Sequence, residues 1–197
     1  MCSYIIQILA DTPNLTACYY FCNSQDTGSI CLQILAIIVL QIVKQHPEVC
    51  TLITNEYVYR GPSCGMVQLR SLVPQLLEIV GHTRIVIDGI DECSKENQKA
   101  IMKELPAICT SSKAHCKALF SSRREVHIQE KLSSQPQISL DKRQEVDFDI
   151  RSFVRYKVTK LRTPDQDLLN KIETILLEKA DGKLFNAMNV IQMLMAA

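Results

Sequence analysis

Three carboxylates close a run of aliphatics: Arg84-Ile85-Val86-Ile87 leads into Asp88, and Asp91 and Glu92 follow after Gly89-Ile90. A β-branched run of this length bounded by glycine predicts a strand buried inside a parallel sheet. Open parallel sheets place their ligands just beyond the carboxyl ends of the strands. Acids at that edge can hold Mg2+ and orient a water against a nucleotide phosphate. Asp88 then reads as the metal ligand, and Asp91 and Glu92 as the acids that polarise the water. The plain alternative is a strand ending in a solvated acidic turn, with Asp91 or Ser94 capping the next helix.

A second group lies one strand-helix unit downstream. Lys117-Ala118-Leu119-Phe120-Ser121 predicts a strand, and Ser122-Arg123-Arg124-Glu125 follows it. Arg123 would project into the same crevice and could grip a terminal phosphate with two parallel hydrogen bonds. Ser122 either joins it there or caps a short helix, while Arg124 faces solvent. Two other chemistries have less behind them. A metal-dependent nuclease using Asp88, Asp91 and Glu92 would need further acids at separate strand ends. A Cys-His hydrolase built on His82 and Cys93 has no local signature.

The elements that must position these groups alternate. The sequence predicts a helix over Cys2 to Ala10, a strand over Ala17 to Cys22 and a polar loop over Asn23 to Ser29. A long helix to about Gln45 comes next, then a shorter helical piece over Glu48 to Tyr57 and a helix over Met66 to Val80. After the acidic strand come a helix over Lys95 to Cys109, the Ser-Ser-Arg strand, and a last strand over Gln137 to Leu140. From Glu145 onward only helices are expected, over Val146 to Lys160, Pro164 to Lys179 and Leu184 to Met195, with Gly182 as a cap between the last two. Strands alternating with helices and then helices alone indicate an α/β domain with a parallel sheet, residues 1–142, and a helical lid-like extension, residues 143–197.

Composition narrows the partners. With 22 basic and 21 acidic residues the chain carries a net charge of +1, so nothing draws it to nucleic acid or an anionic membrane. The most apolar segment, Ile30 to Val43, includes Gln33 and Gln41 and falls short of the about 18 apolar residues of a membrane span. It is expected to be a helix buried on most sides. Nine cysteines without paired spacing suggest reduced thiols filling the core of a cytoplasmic protein, with metal ligation the lesser alternative.

At these residues the chain resembles a known group. RIVIDGIDEC, KALFSSRREVHI and ISLDKRQEVDFDIRSFVRYKV are similar to the NACHT-type nucleotide-binding domain of signal-transduction NTPases. The nearest members are those of fungal NOD-like receptors and the nephrocystin-type N-terminal modules. ACYYFCNSQD before a long helix and LLEKADGKLFNAMNVIQML at the end match the same group. The resemblance implies a P-loop NTPase fold in which Asp88 binds magnesium, Asp91 and Glu92 are the acids of the extended Walker B strand, and Arg123 is the sensor arginine. It implies Mg2+ and ATP or GTP as ligands. It further implies a nucleotide-controlled switch whose partners are effector and ankyrin, WD40 or TPR repeat domains of a longer protein, together with self-association.

The family's phosphate loop, G-x-x-x-x-G-K-[ST], does not occur in these residues; the one Gly-Lys pair, Gly182-Lys183, falls between helices. Backbone N–H groups and the lysine of that loop supply most of the phosphate grip. Each charge-assisted hydrogen bond contributes about 1.5–3 kcal/mol, so nucleotide affinity is expected to be weak. The expectation is therefore a fragment of such a domain, lacking its first strand and catalytically incompetent as it stands. The alternative is a non-catalytic interaction module that keeps the fold and oligomerises.

Overall fold

A computed structural model describes residues 2–55, 65–111, 113–139, 144–160 and 165–180. The chain divides into two compact units, residues 1–135 and 136–197. The first holds α1 (Cys2–Ala10), β1 (Thr16–Phe21), α2 (Ile30–Gln45), α3 (Cys50–Ile53), α4 (Met66–Val80), β2 (Thr83–Asp88), α5 (Lys95–Ser111), β3 (Cys116–Phe120) and α6 (Val126–Lys131). The second holds α7 (Gln144–Val158) and α8 (Gln166–Ala180). The expected α/β class with a parallel sheet is what the chain adopts.

The strands lie in the order β1-β2-β3, all parallel, with Tyr19, Val86 and Leu119 in one register row. The acidic strand is thus central, which is why its aliphatics tolerate burial on both faces: Ile85, Val86 and Ile87 are all buried. Cys18, Ile85 and Ile87 enter a core formed with Ile34, Leu35, Ile38 and Ile42 of α2, Leu72, Leu76 and Leu77 of α4, and Ile101 and Leu105 of α5. These helix positions recur at three- and four-residue spacing, so each helix turns one stripe onto the sheet. A bidentate pair fixes α4 against α5: Arg70 Nε and Nη2 donate to the two carboxylate oxygens of Glu104, each at 2.7 Å. Ser94 caps α5, accepting from the Asn97 N–H at 3.3 Å, as one of the two capping alternatives has it.

The outer edge of β1 is closed by side chains. Gln41 Oε1 accepts from Tyr19 N (2.8 Å) and Gln41 Nε2 donates to Tyr19 O (3.0 Å). One helical turn on, Gln45 repeats the pattern with Ala17, at 3.2 and 2.9 Å. The amides stand in for a neighbouring strand and satisfy the groups that an edge leaves open. Beside the outer edge of β3 there is no strand among the described residues.

Three expectations about elements need revision. Residues 137–139 form no strand: Ile138 is 76% exposed and nothing pairs with it, so a β-favouring sequence has no ladder to join. Leu140 lies outside the described residues. The helical piece after His46 is a 3-10 turn, Pro47–Val49, followed by the short α3, and from residue 56 it too lies outside them. Cys22 sits one residue past the end of β1 rather than within it, although it shares the core with Cys18. The Arg60-Gly61-Pro62-Ser63 turn, the Leu184 to Met195 helix and Gly182 lie outside the described residues.

The second unit is an αα pair. Ile150, Val154 and Val158 of α7 and Leu176 of α8 are buried together, with Phe153, Leu169 and Ile172 around them, and Arg155 meets Glu173 at 3.3 Å. Among the described residues no single helix is long and apolar enough to cross a membrane.

Candidate functional site

The parallel order sends the carboxyl ends of β2 and β3 to the same edge, and the sequence places acids on one and hydroxyls with a guanidinium on the other. Gly89 makes the turn after β2 in a left-handed conformation, φ 74°, ψ 40°, which suits a residue without Cβ. The chain then winds into a 3-10 turn, Ile90–Glu92.

Ser121 binds this turn through all of its polar groups. Its N–H donates to Ile87 O (2.9 Å), its carbonyl accepts from Gly89 N (3.1 Å) and Ile90 N (3.0 Å), and its hydroxyl donates to Asp88 Oδ1 at 2.6 Å. Two residues on, Arg123 grips Asp91. Its backbone N–H donates to Oδ1 at 2.9 Å, and its Nε lies 3.0 Å from Oδ2. The Asp91 side chain is 8% exposed and that of Arg123 is 82% exposed, so the carboxylate is enclosed while the rest of the guanidinium faces solvent.

Asp88, Asp91 and Arg123 therefore meet at one edge, as the sequence suggests, in a specific division of labour. Asp91 is committed to Arg123. Glu92 is exposed, and no hydrogen bond or ion pair engages it among the described residues; its carboxylate folds back toward Gly89, where a Cβ would stand 3.6 Å from Oε1. Ser122 is exposed and its hydroxyl donates to Arg123 O at 2.7 Å, so it neither touches Asp88 nor caps α6. Arg124 is exposed.

Two contributors escaped sequence reasoning. Cys2, at the start of α1, has its thiol against the Asp88 carboxylate and the Ser121 hydroxyl, and burial, reinforced by Asp88, raises its pKa. Asp26, from the loop after β1, accepts from Tyr20 Oη at 3.1 Å and from Asn23 N at 3.2 Å. Burial first, and this bond second, push the Tyr20 phenol up to about 12. Neither residue belongs to a recognised motif: α1 carries Cys2 to Asp88, and the loop after β1 carries Asp26 to Tyr20.

Among the described residues no three His, Cys, Asp or Glu side chains converge to hold a metal by themselves. Magnesium asks for less, since it is commonly held by one or two carboxylates with waters and phosphate oxygens completing its shell. Asp88, a single carboxylate already accepting from Ser121, is chemically compatible with that limited demand.

The remaining constellations do not make an active site. Thr16 Oγ1 lies 2.7 Å from His46 Nε2, and His46 Nδ1 lies 3.1 Å from Glu48, the sequence of nucleophile, base and orienting acid. Thr16, however, is 2% exposed, and the array serves to tie the start of β1 to the end of α2. A depression of about 400 Å3 there is lined by Asn14, Leu15, Gln45 and Val80 together with Thr16 and His46. His82 and Cys93 flank opposite ends of β2, six residues or roughly 20 Å of strand apart, so they cannot act together.

A family model described as Nephrocystin 3, N-terminal, matches residues 1–123, from α1 through the arginine that grips Asp91. No curated protein and no solved structure matches the chain.

Proposed function

Since the chain belongs to the nephrocystin 3 N-terminal family, we propose that its acidic crevice is the metal and water side of a NACHT-type nucleotide switch site. The observation that carries this reading is the convergence of Asp88, held by Ser121, with Asp91, held by Arg123, at the carboxyl edge of adjacent parallel strands. Asp88 is the group that would hold Mg2+. When bound, the ion neutralises charge that builds on the phosphates during transfer. Glu92, which no hydrogen bond or ion pair engages among the described residues, is the acid able to orient a water. Asp91 is a positioning residue: it fixes the Arg123 backbone and Nε, leaving the terminal guanidinium nitrogens to read a phosphate.

The phosphate loop is absent from these 197 residues, so this part of the switch is taken to be inactive as a nucleotide hydrolase. Two features are compatible with such a loop in the family's fold: the start of α1 lies against Asp88, and no strand among the described residues pairs with the outer edge of β3.

Photolabelling with an azido-ATP probe tests the assignment. Labelling should fall on residues 88–92 and 121–124, require Mg2+, and vanish in the Asp88→Ala, Arg123→Ala double variant. Labelling that survives the double substitution overturns the reading.

A second reading, a non-catalytic self-association module, draws on Tyr19, Phe21 and Leu119, which expose apolar surface on one sheet face. Sedimentation separates the two. Assembly unchanged by the double substitution, without nucleotide, favours the second.

A further inference from the structure

We propose that Cys109 and Cys116 form a redox-modification site, a thiol pair that closes reversibly to a disulfide by exchange with a low-molecular-weight disulfide of the glutathione class. Cys109 sits in the last turns of α5 and Cys116 opens β3. Their sulfurs are 3.3 Å apart. A disulfide bond is about 2.05 Å long, so closure needs an approach of roughly 1.3 Å. Side-chain rotation across the short α5-β3 connection can supply it.

Among the described cysteines, access singles this pair out. Cys109 and Cys116 are both partly exposed, whereas Cys2, Cys18, Cys22, Cys31 and Cys93 are buried and Cys50, exposed, stands in α3. Cys22 and Cys93 also share a hydrogen bond, but each is under a tenth exposed, so a tripeptide disulfide has no approach to them. Within the accessible pair the roles are unequal. The Cys116 thiol donates to the Cys109 sulfur, holding the Cys109 pKa below its ordinary value and raising its own. The thiolate is the attacking species in exchange.

The chemistry balances in two displacements. Cys109 thiolate attacks one sulfur of glutathione disulfide, forming a mixed disulfide and expelling one glutathione thiolate, which takes up a proton. Cys116 then loses its proton and attacks the Cys109 sulfur, expelling the second glutathione. Two protein thiols are oxidised and one small disulfide is reduced to two thiols. The product pins the end of α5 to the start of β3.

The native chain should be incubated with glutathione disulfide, quenched with acid, alkylated and digested. The expected product has lost two hydrogens in mass and yields one peptide pair joined through Cys109 and Cys116. Excess glutathione should reverse it. The Cys116→Ser variant should accumulate glutathione on Cys109, because the resolving thiol is gone. No mass loss in the native chain, linkage through other cysteines, or no adduct on Cys109 in that variant overturns the assignment.

Discussion

Arg123 holds both oxygens of Asp91, one through its backbone N–H and the other through its guanidinium. The two bonds differ in what they resist. The side-chain pair is open to water on the arginine side, and exposed pairs of this kind contribute about 0–1 kcal/mol. The backbone bond ends on an enclosed carboxylate, and a hydrogen bond to a charged group contributes more than a neutral one. Asp91→Ala should therefore destabilise the chain by about 1–3 kcal/mol, and Arg123→Ala by less than about 1 kcal/mol. Urea unfolding of the two variants measures the difference. Equal losses would mean that the guanidinium, not the backbone, secures the turn.

Gly89 carries the chain out of β2 with φ 74°, and a Cβ there would meet Cys22 O at an ordinary 3.6 Å. Space is available, so the cost of Gly89→Ala is conformational, about 1–2 kcal/mol for an L-residue in the left-handed region. A variant as stable as the parent in a thermal melt would show that the turn can relax to negative φ.

Removing the amides at positions 41 and 45 should uncover the β1 edge. Gln41→Leu with Gln45→Leu keeps the helix but leaves the N–H and C=O groups of Ala17 and Tyr19 without partners. An open, partly apolar edge is a template for intermolecular pairing. Size-exclusion chromatography should show concentration-dependent association in the double variant beyond that of the parent. A profile identical to the parent's contradicts the protective function assigned to the glutamines.

Alkaline pH should weaken the fold through Tyr20. Its folded pKa is raised from 10.0 to about 12. A raised pKa means the protonated form is favoured in the folded state, so its contribution is complete below pH 10 and is lost as pH climbs toward 12. The thiols of Cys18, raised to about 12, and Cys31, raised to about 11, add to the same loss. Tyr20→Phe should reduce the slope of stability against pH in this window without abolishing it. An unchanged slope, measured by denaturation at stepped pH, would remove the phenol from the account.

The central strand and the helix over Met66 to Val80 were legible because burial writes itself into hydrophobic spacing, and spacing is local. Partners are not local. Gln41 stands in an apolar helix and reads only as a mark against membrane insertion; its purpose depends on β1 being an edge. Asp91 and Glu92 look interchangeable in sequence, yet one is enclosed by a residue 32 positions away and the other is exposed. Ser121 and Ser122 are adjacent, and strand alternation decides which of them reaches Asp88. Residues 137–139 show the converse: a strand-like composition forms no strand where no neighbouring strand among the described residues completes its ladder.

Ser121 binds the β2 turn through its N–H, carbonyl and hydroxyl together. Four hydrogen bonds thus rivet the end of one strand to the turn that leaves the next. Loosening either loop would require breaking several of them together.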